Sequence, residues 1–253
     1  MSDNLVDSQL AATEVGARYG PRVNQQEEKV DTPHSVRARL ARVATTYVVV
    51  AAAVVGLGWL LTHPLAGSVG AFDDDVSRWF ADRRTPGLDR VADVVTFVAD
   101  TWVGVLVALA VAVAAGVCDR SWRGPVLVVA AVVGHLGIYL LGTHLAPRDR
   151  PPVEILDPGL VPDHSFPSGH VGTAVIAYGC VAVVLALRLR SAPVRRTVVG
   201  LLALVPFLVA LSRLYQGAHH VTDVTTSLVY ASVWLLVLAR AGGWLTSRPS
   251  SSG

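Results

Sequence analysis

Six predominantly apolar stretches, most of them long enough to cross a lipid bilayer, limit what this 253-residue chain can become. They run from Val43 to Leu61, Thr101 to Val117, Pro125 to Leu145, Val171 to Leu187, Val198 to Leu211 and Val221 to Leu238. A helix needs about 20 apolar residues to cover the hydrocarbon core. The fifth stretch falls short of that, so its helix has to extend into Thr197 and Ser212. Charged residues make up only 16% of the chain, against about 25% in soluble proteins. The pattern predicts an all-α polytopic membrane protein with six transmembrane helices.

The two ends differ from this. Met1 to about Thr32 is polar and includes Gln25-Gln26-Glu27-Glu28-Lys29. Such a segment cannot bury enough apolar surface to offset the entropy of ordering, and it lacks the apolar core of a signal peptide. The expected organisation is a disordered tail over 1–36, a membrane domain over 37–245 and a short tail over 246–253. Cys118 and Cys180 lie in apolar runs and read as buried thiols, not as a disulfide or metal framework.

Arginines fix the orientation. Arg37, Arg39 and Arg42 precede the first stretch, and Arg120 and Arg123 separate the second from the third. Arg188, Arg190, Arg195 and Arg196 fill the connection between the fourth and fifth, and Arg240 follows the sixth. With six crossings all of these fall on one side, which the positive-inside rule makes cytoplasmic. Both termini are then cytoplasmic. The net charge of +2, scattered over membrane flanks, gives no basis for nucleic-acid binding.

The connection from His63 to Asp100 is the longest on the opposite, extracytoplasmic side. Val76, Trp79 and Phe80 recur in it at helical spacing, as do Leu88, Val91, Val94 and Val95. This predicts one or two amphipathic helices at the interface, either a cap over the bundle or a lipid-gathering surface. Asp73-Asp74-Asp75 before the first of them is explained by the helix dipole. Trp59, Trp79, Trp102 and Trp244 lie near the expected interfaces, where tryptophan collects.

The same side carries the chemistry. Arg150-Pro151 is followed by Pro167-Ser168-Gly169-His170, and then by Ser212-Arg213, His219 and Asp223. Phosphoryl transfer asks mainly for positioning and charge stabilisation. Arg150 and Arg213 offer planar donor forks for phosphate oxygens. Ser168 and Gly169 stand where the fourth helix begins, so their N–H groups and the Ser168 hydroxyl can hold an anion there. His219 and Asp223 are four apart, on one helical face, so that Asp223 can accept from one ring nitrogen and leave the other as nucleophile. His220 reaches Asp223 at a spacing of three.

In order and spacing these three motifs resemble the type 2 phosphatidic acid phosphatase family, within the superfamily of vanadium haloperoxidases and bacterial acid phosphatases. The resemblance covers roughly residues 70–240. It implies a phosphohistidine on His219, chosen over His220 by its distance from Arg213. It implies that His170 protonates the leaving oxygen. It also implies that Arg150, Arg213, Ser168 and Gly169 bind phosphate without a metal or other cofactor. One position departs from the pattern: Thr143 stands where the family carries a lysine seven residues before Arg150. Arg148 is the nearest replacement for that charge and His144 a weaker one, with Asp149 a competing partner for either arginine.

The expected function is hydrolysis of a membrane lipid phosphate or diphosphate on the extracytoplasmic side of the plasma membrane. The family's substrates include polyprenyl diphosphate, phosphatidic acid and phosphatidylglycerol phosphate. The alternatives are a phosphotransferase with an alcohol acceptor and a non-catalytic lipid-phosphate binder. The partners are then the lipid substrate and the bilayer, with the oligomeric state open. His34, His63 and His135 read as structural, and His164 as a residue at the pocket mouth.

Overall fold

The computed structural model describes residues 33–243, and among these the regular elements are all helices, with no β-strand beyond an isolated bridge between Arg148 and His164. The expected terminal tails therefore lie almost wholly outside the described residues, as does Trp244. Of the unit Met1–Ala38 only the opening turns of the first helix are described, and Arg39–Gly253 holds everything that follows.

Helix α1 spans Pro33–Thr62. After a short π-helical turn at Ala66–Gly70 come α2 at Ala71–Ala81 and α3 at Pro86–Phe97. Then follow α4 (Thr101–Asp119), α5 (Arg123–Leu145), α6 (Gly169–Arg188), α7 (Ala192–Tyr215) and α8 (Val221–Ala241). Five of these, α1, α5, α6, α7 and α8, are individually long and apolar enough to cross a membrane. A sixth crossing arises if α3 and α4 count as one element, bent by 41° at its break. The fold is thus an all-α polytopic membrane protein. The fifth helix is far longer than its apolar stretch, because Pro193 is tolerated in its first turn and it continues through Arg213 to Tyr215.

The spanning helices are apolar on both faces and differ by size. On α5, Val126, Val129, Val133, Leu136 and Leu140 point outward, while Val128, Ala131, Gly134, His135, Ile138 and Gly142 are buried. Large residues face the lipid and small or polar ones face the neighbours, as expected where packing rather than water exclusion holds helices together. Gly134 shows the reason: a Cβ there would sit 2.4 Å from the Trp234 ring. The buried core joins α1, α4, α5, α6 and α8 around Val54, Val128, Ile138, Ile176, Tyr230 and Trp234. A second cluster, with Val171, Ala174, Val209, Leu214 and Val224, lies against Val95 and Val98 of the α3–α4 break. Cys180 is buried, but Cys118 is exposed near the end of α4, contrary to the expectation that both are buried.

The connection between α1 and α4 forms two helices, and their fully buried positions are not the large apolar ones. On α2 the buried residues are Asp73 and Ser77, while Phe72 and Trp79 are exposed. On α3 Ala92 and Thr96 are buried, while Leu88, Val91, Val94 and Phe97 are exposed. The fully buried positions on both helices are small or polar, and much of the apolar surface faces away from the protein, although Phe80 and Val95 pack against the second cluster.

Candidate active site

The site forms where the 146–168 loop, the start of α6, the end of α7 and the turn 216–220 meet. Arg213 is fully buried in the last turn of α7. Its Nη1 donates to Asp157 Oδ2 at 2.8 Å and to Gln216 Oε1 at 2.9 Å. Its Nε and Nη2, which share the opposite edge of the guanidinium, are buried and have no hydrogen-bond partner among the described residues. The Ser168 hydroxyl, at the N-cap of α6, is in the same condition. Buried donors are almost always paired, so a bidentate edge and a hydroxyl left unpaired mark a place built for an anion. The opening N–H groups of α6, in Gly169 and His170, have no intrahelical acceptor and add to it. His170 lies within electrostatic reach of Arg213, Asp157, Asp100 and Arg150.

His219 is buried in the turn before α8. Gly217, at φ +70°, turns the chain back there, in a conformation that favours glycine. His219 Nδ1 lies 2.7 Å from the Ser165 carbonyl oxygen. A carbonyl can only accept, so Nδ1 carries the proton and Nε2 carries the lone pair. Burial, followed by the nearby Arg213 charge, holds the ring's pKa well below its ordinary value, despite the opposing pull of Asp223.

Asp223 does not play the part expected of it. Its closest approach to the His219 ring is 3.9 Å, too long for a hydrogen bond. Its oxygens instead accept from Arg148 Nη1 at 2.6 Å, from Ser165 Oγ at 2.6 Å and from the His220 N–H at 2.8 Å. The reason is local: Asp223 is the third residue of α8, so its carboxylate folds back onto the backbone of His220, which precedes the helix. Asp223 is therefore linked to His219 by hydrogen bonds through Ser165, whose hydroxyl it holds and whose carbonyl orients the ring. The histidine that does meet Asp223 is His220, at 3.3 Å from Nδ1, and its Nε2 faces Asp74 at 3.3 Å.

Arg148 is held mainly by carboxylates. Nη2 pairs with Asp73 at 2.8 Å, and Nη1 donates to Asp223 and to Thr222 Oγ1. Burial works against its charge, but the carboxylates of Asp223 and Asp73 outweigh that and raise its pKa. Its partners are these two, not its neighbour Asp149. The Thr222 hydroxyl and N–H also donate to Asp73. Asp73 is thus a fully buried anchor, and the helix dipole alone does not account for it. At the position of the expected lysine, Thr143 is buried and donates to the Leu140 carbonyl within its own helix, and His144 turns back to the same carbonyl.

Arg150 acts first as a clamp. It donates to the carbonyls of Val161, His164 and Ala218, tying the 146–168 loop to the residue before His219. A guanidinium has five N–H groups, so two remain for another acceptor. Burial and the charge of Arg213 lower its pKa. Ser212 and Gln216 are fixed from α3: Ser212 Oγ donates to the Ala92 carbonyl at 2.7 Å, Thr96 Oγ1 bonds both side chains, and Gln216 Nε2 donates to Asp93. A polar cavity of about 640 Å³ opens beside the site, lined in part by Arg148, Arg150, His220, Asp74 and Asp163.

Sequence reasoning thus missed Asp73, Asp93, Asp157, Ser165 and Gln216. The available signal on α2 was a pair of polar residues at i, i+4 spacing, Asp73 with Ser77.

The model of the PAP2 superfamily matches residues 124–247. No curated protein matches the sequence significantly. Among solved structures, the fold is similar to that of the first transmembrane PAP2-type phosphatidylglycerolphosphate phosphatase from Bacillus subtilis. The TM-score is 0.63 at 22% identity, over 84% of this chain and 98% of that one. The motifs, the helical membrane architecture and the family match together identify residues 124–247 of this chain as a PAP2-superfamily domain.

Proposed function

We propose that this protein is a phosphatase of membrane lipid phosphates or diphosphates, working through a phosphohistidine on His219. The observation that carries the reading is the unpartnered Nε/Nη2 edge of buried Arg213, together with the unpartnered Ser168 hydroxyl. In this reading they hold the phosphate with the N–H groups of Gly169 and His170 and the spare donors of Arg150. His219 Nε2 attacks phosphorus as the bond to the lipid oxygen breaks, and His170 gives that oxygen its proton. Water then attacks the phosphohistidine, His170 takes up the water proton, and the P–N bond breaks to release inorganic phosphate. Arg213 and the helix N-terminus stabilise charge on the equatorial oxygens throughout, so the chemistry needs no metal.

His219 is preferred to His220 because both ring nitrogens of His220 face carboxylates, whereas the His219 ring is held through Nδ1 alone. A lipid substrate is supported by an apolar groove of about 650 Å³ between α6, α7 and α8, whose lining includes Thr225, two residues after Asp223. The arginine flanks support an extracytoplasmic site in the plasma membrane, with both termini cytoplasmic. Polyprenyl diphosphate, phosphatidic acid and phosphatidylglycerol phosphate are the substrates to compare first, because the Bacillus subtilis structure is of a phosphatidylglycerolphosphate phosphatase. The test is release of inorganic phosphate from this panel by purified protein in a chelator. Release by wild type and not by His219→Ala supports the reading. Lipid binding without release by either would leave a non-catalytic binder, and release only with an added alcohol acceptor would leave a phosphotransferase.

A further inference from the structure

The 146–168 loop brings one carboxylate, Asp157, onto Arg213 from the edge opposite the unpartnered fork. Asp157 is about a quarter exposed, at 27%, whereas Arg213 is fully buried. The loop is seated there by the Leu156 N–H, which donates to the Gln216 carbonyl at 3.0 Å. Gln216, the second partner of Nη1, is neutral and is held from α3, so it can orient Arg213 without Asp157. Asp157 therefore adds something beyond orientation, which is negative charge.

We propose that Asp157 is a positioning residue that also sets the charge of the phosphate site, holding Arg213 while weakening its grip on an anion. This rests on the phosphatase reading above. The charge count at the site makes the effect matter. Arg148 is cancelled by Asp73 and Asp223, and the position of the family lysine is the neutral Thr143. Arg150 and Arg213 are the remaining cations of the motifs, and Asp157 offsets one of them. A fork backed by a carboxylate binds a dianion less tightly than a bare guanidinium at the same place, because the two anions repel across it. The beneficiary is the last step, in which inorganic phosphate has to leave the fork.

The test uses orthophosphate as the probe on the detergent-solubilised full chain. Its binding is measured by calorimetry and its inhibition of lipid phosphate turnover by kinetics. Asp157→Asn keeps an acceptor for Nη1 and removes the charge. It is expected to tighten orthophosphate binding about tenfold, a like-charge repulsion partly screened by solvent, and to lower KM with kcat reduced or unchanged. Asp157→Glu restores the charge and is expected to bind orthophosphate as wild type does. If Asp157→Asn binds orthophosphate no more tightly than wild type, or if Asp157→Glu behaves like Asp157→Asn, the proposal is overturned. Should Asp157→Asn not fold, the Asp157→Glu result decides: a constant away from wild type refutes the proposal and an unchanged one supports it. If wild type binds no orthophosphate at all, the phosphate-site reading itself fails, and the two failures remain distinct.

Discussion

Replacing Asp73 separates two accounts of the acidic run before α2. If the run serves the helix dipole, Asp73, Asp74 and Asp75 are near equivalents worth about 0.3–1 kcal/mol each. The structure makes them unequal. Asp73 is fully buried and accepts from Arg148, the Thr222 hydroxyl and the Thr222 N–H. Asp75 has a side chain 75% exposed and meets only Arg78, itself half exposed. Asp73→Ala removes a charge-assisted bond worth about 1.5–3 kcal/mol and leaves donors of Thr222 unpaired at about 1–3 kcal/mol. Arg148 keeps Asp223 and Thr222 is only partly buried, so the low end applies and the expected loss is about 3 kcal/mol. Asp73→Asn, which keeps acceptors for Thr222, is expected to lose about half of that. Asp75→Ala should cost less than about 0.5 kcal/mol, as exposed pairs do. Unfolding of the three variants in detergent measures this directly. Similar, sub-kilocalorie losses for Asp73→Ala and Asp75→Ala would refute the buried-anchor argument.

Other consequences are independent of that one. Arg213→Lys keeps the charge but loses the Nε/Nη2 fork, and kcat/KM should fall about 10²–10³-fold with folding retained; a loss under threefold counts against the fork. Because burial and Arg213 hold the His219 ring neutral, the acid limb of kcat/KM assigned to it should lie below the ordinary pKa of about 6.5. The same shift makes a stability prediction. Below pH ~6.5 the unfolded chain takes up a proton that folded His219 refuses, so stability should decline as pH falls from there. The decline should be shallower in His219→Ala, and equal slopes in the two proteins would show that other groups cause it. Gly134→Leu drives a side chain into the Trp234 ring and should destabilise by at least about 1–3 kcal/mol, read as a lowered unfolding temperature in detergent.

The helices were legible because lipid-length apolar runs have few alternatives, and the motif residues were legible because their order is specific. Two things were not. The first was which face of α2 and α3 packs inward. An apolar stripe normally seeks the core, but beside a bilayer it can face lipid and leave Asp73 and Thr96 to pack against protein. The second was the partnering of charges. Arg148 and Asp223 are 75 residues apart, and no local pattern reveals that they neutralise each other. A four-residue spacing puts His219 and Asp223 on one face only if both are helical, and His219 lies before α8 begins, with Asp223 already committed to the His220 backbone. The departure at Thr143 was visible in the sequence, but the pairing of Arg148 with Asp73 and Asp223 required the structure.

The most direct measurement is to trap the covalent intermediate during turnover of a labelled lipid phosphate and locate the label by peptide mass spectrometry under non-acidic conditions. Wild type and His170→Ala, which slows both formation and hydrolysis of the intermediate, are compared with His219→Ala and His220→Ala. The account predicts label on His219, label gained and lost more slowly in His170→Ala, none in His219→Ala, and retained label in His220→Ala. Label on His220, or full turnover by His219→Ala, would contradict it.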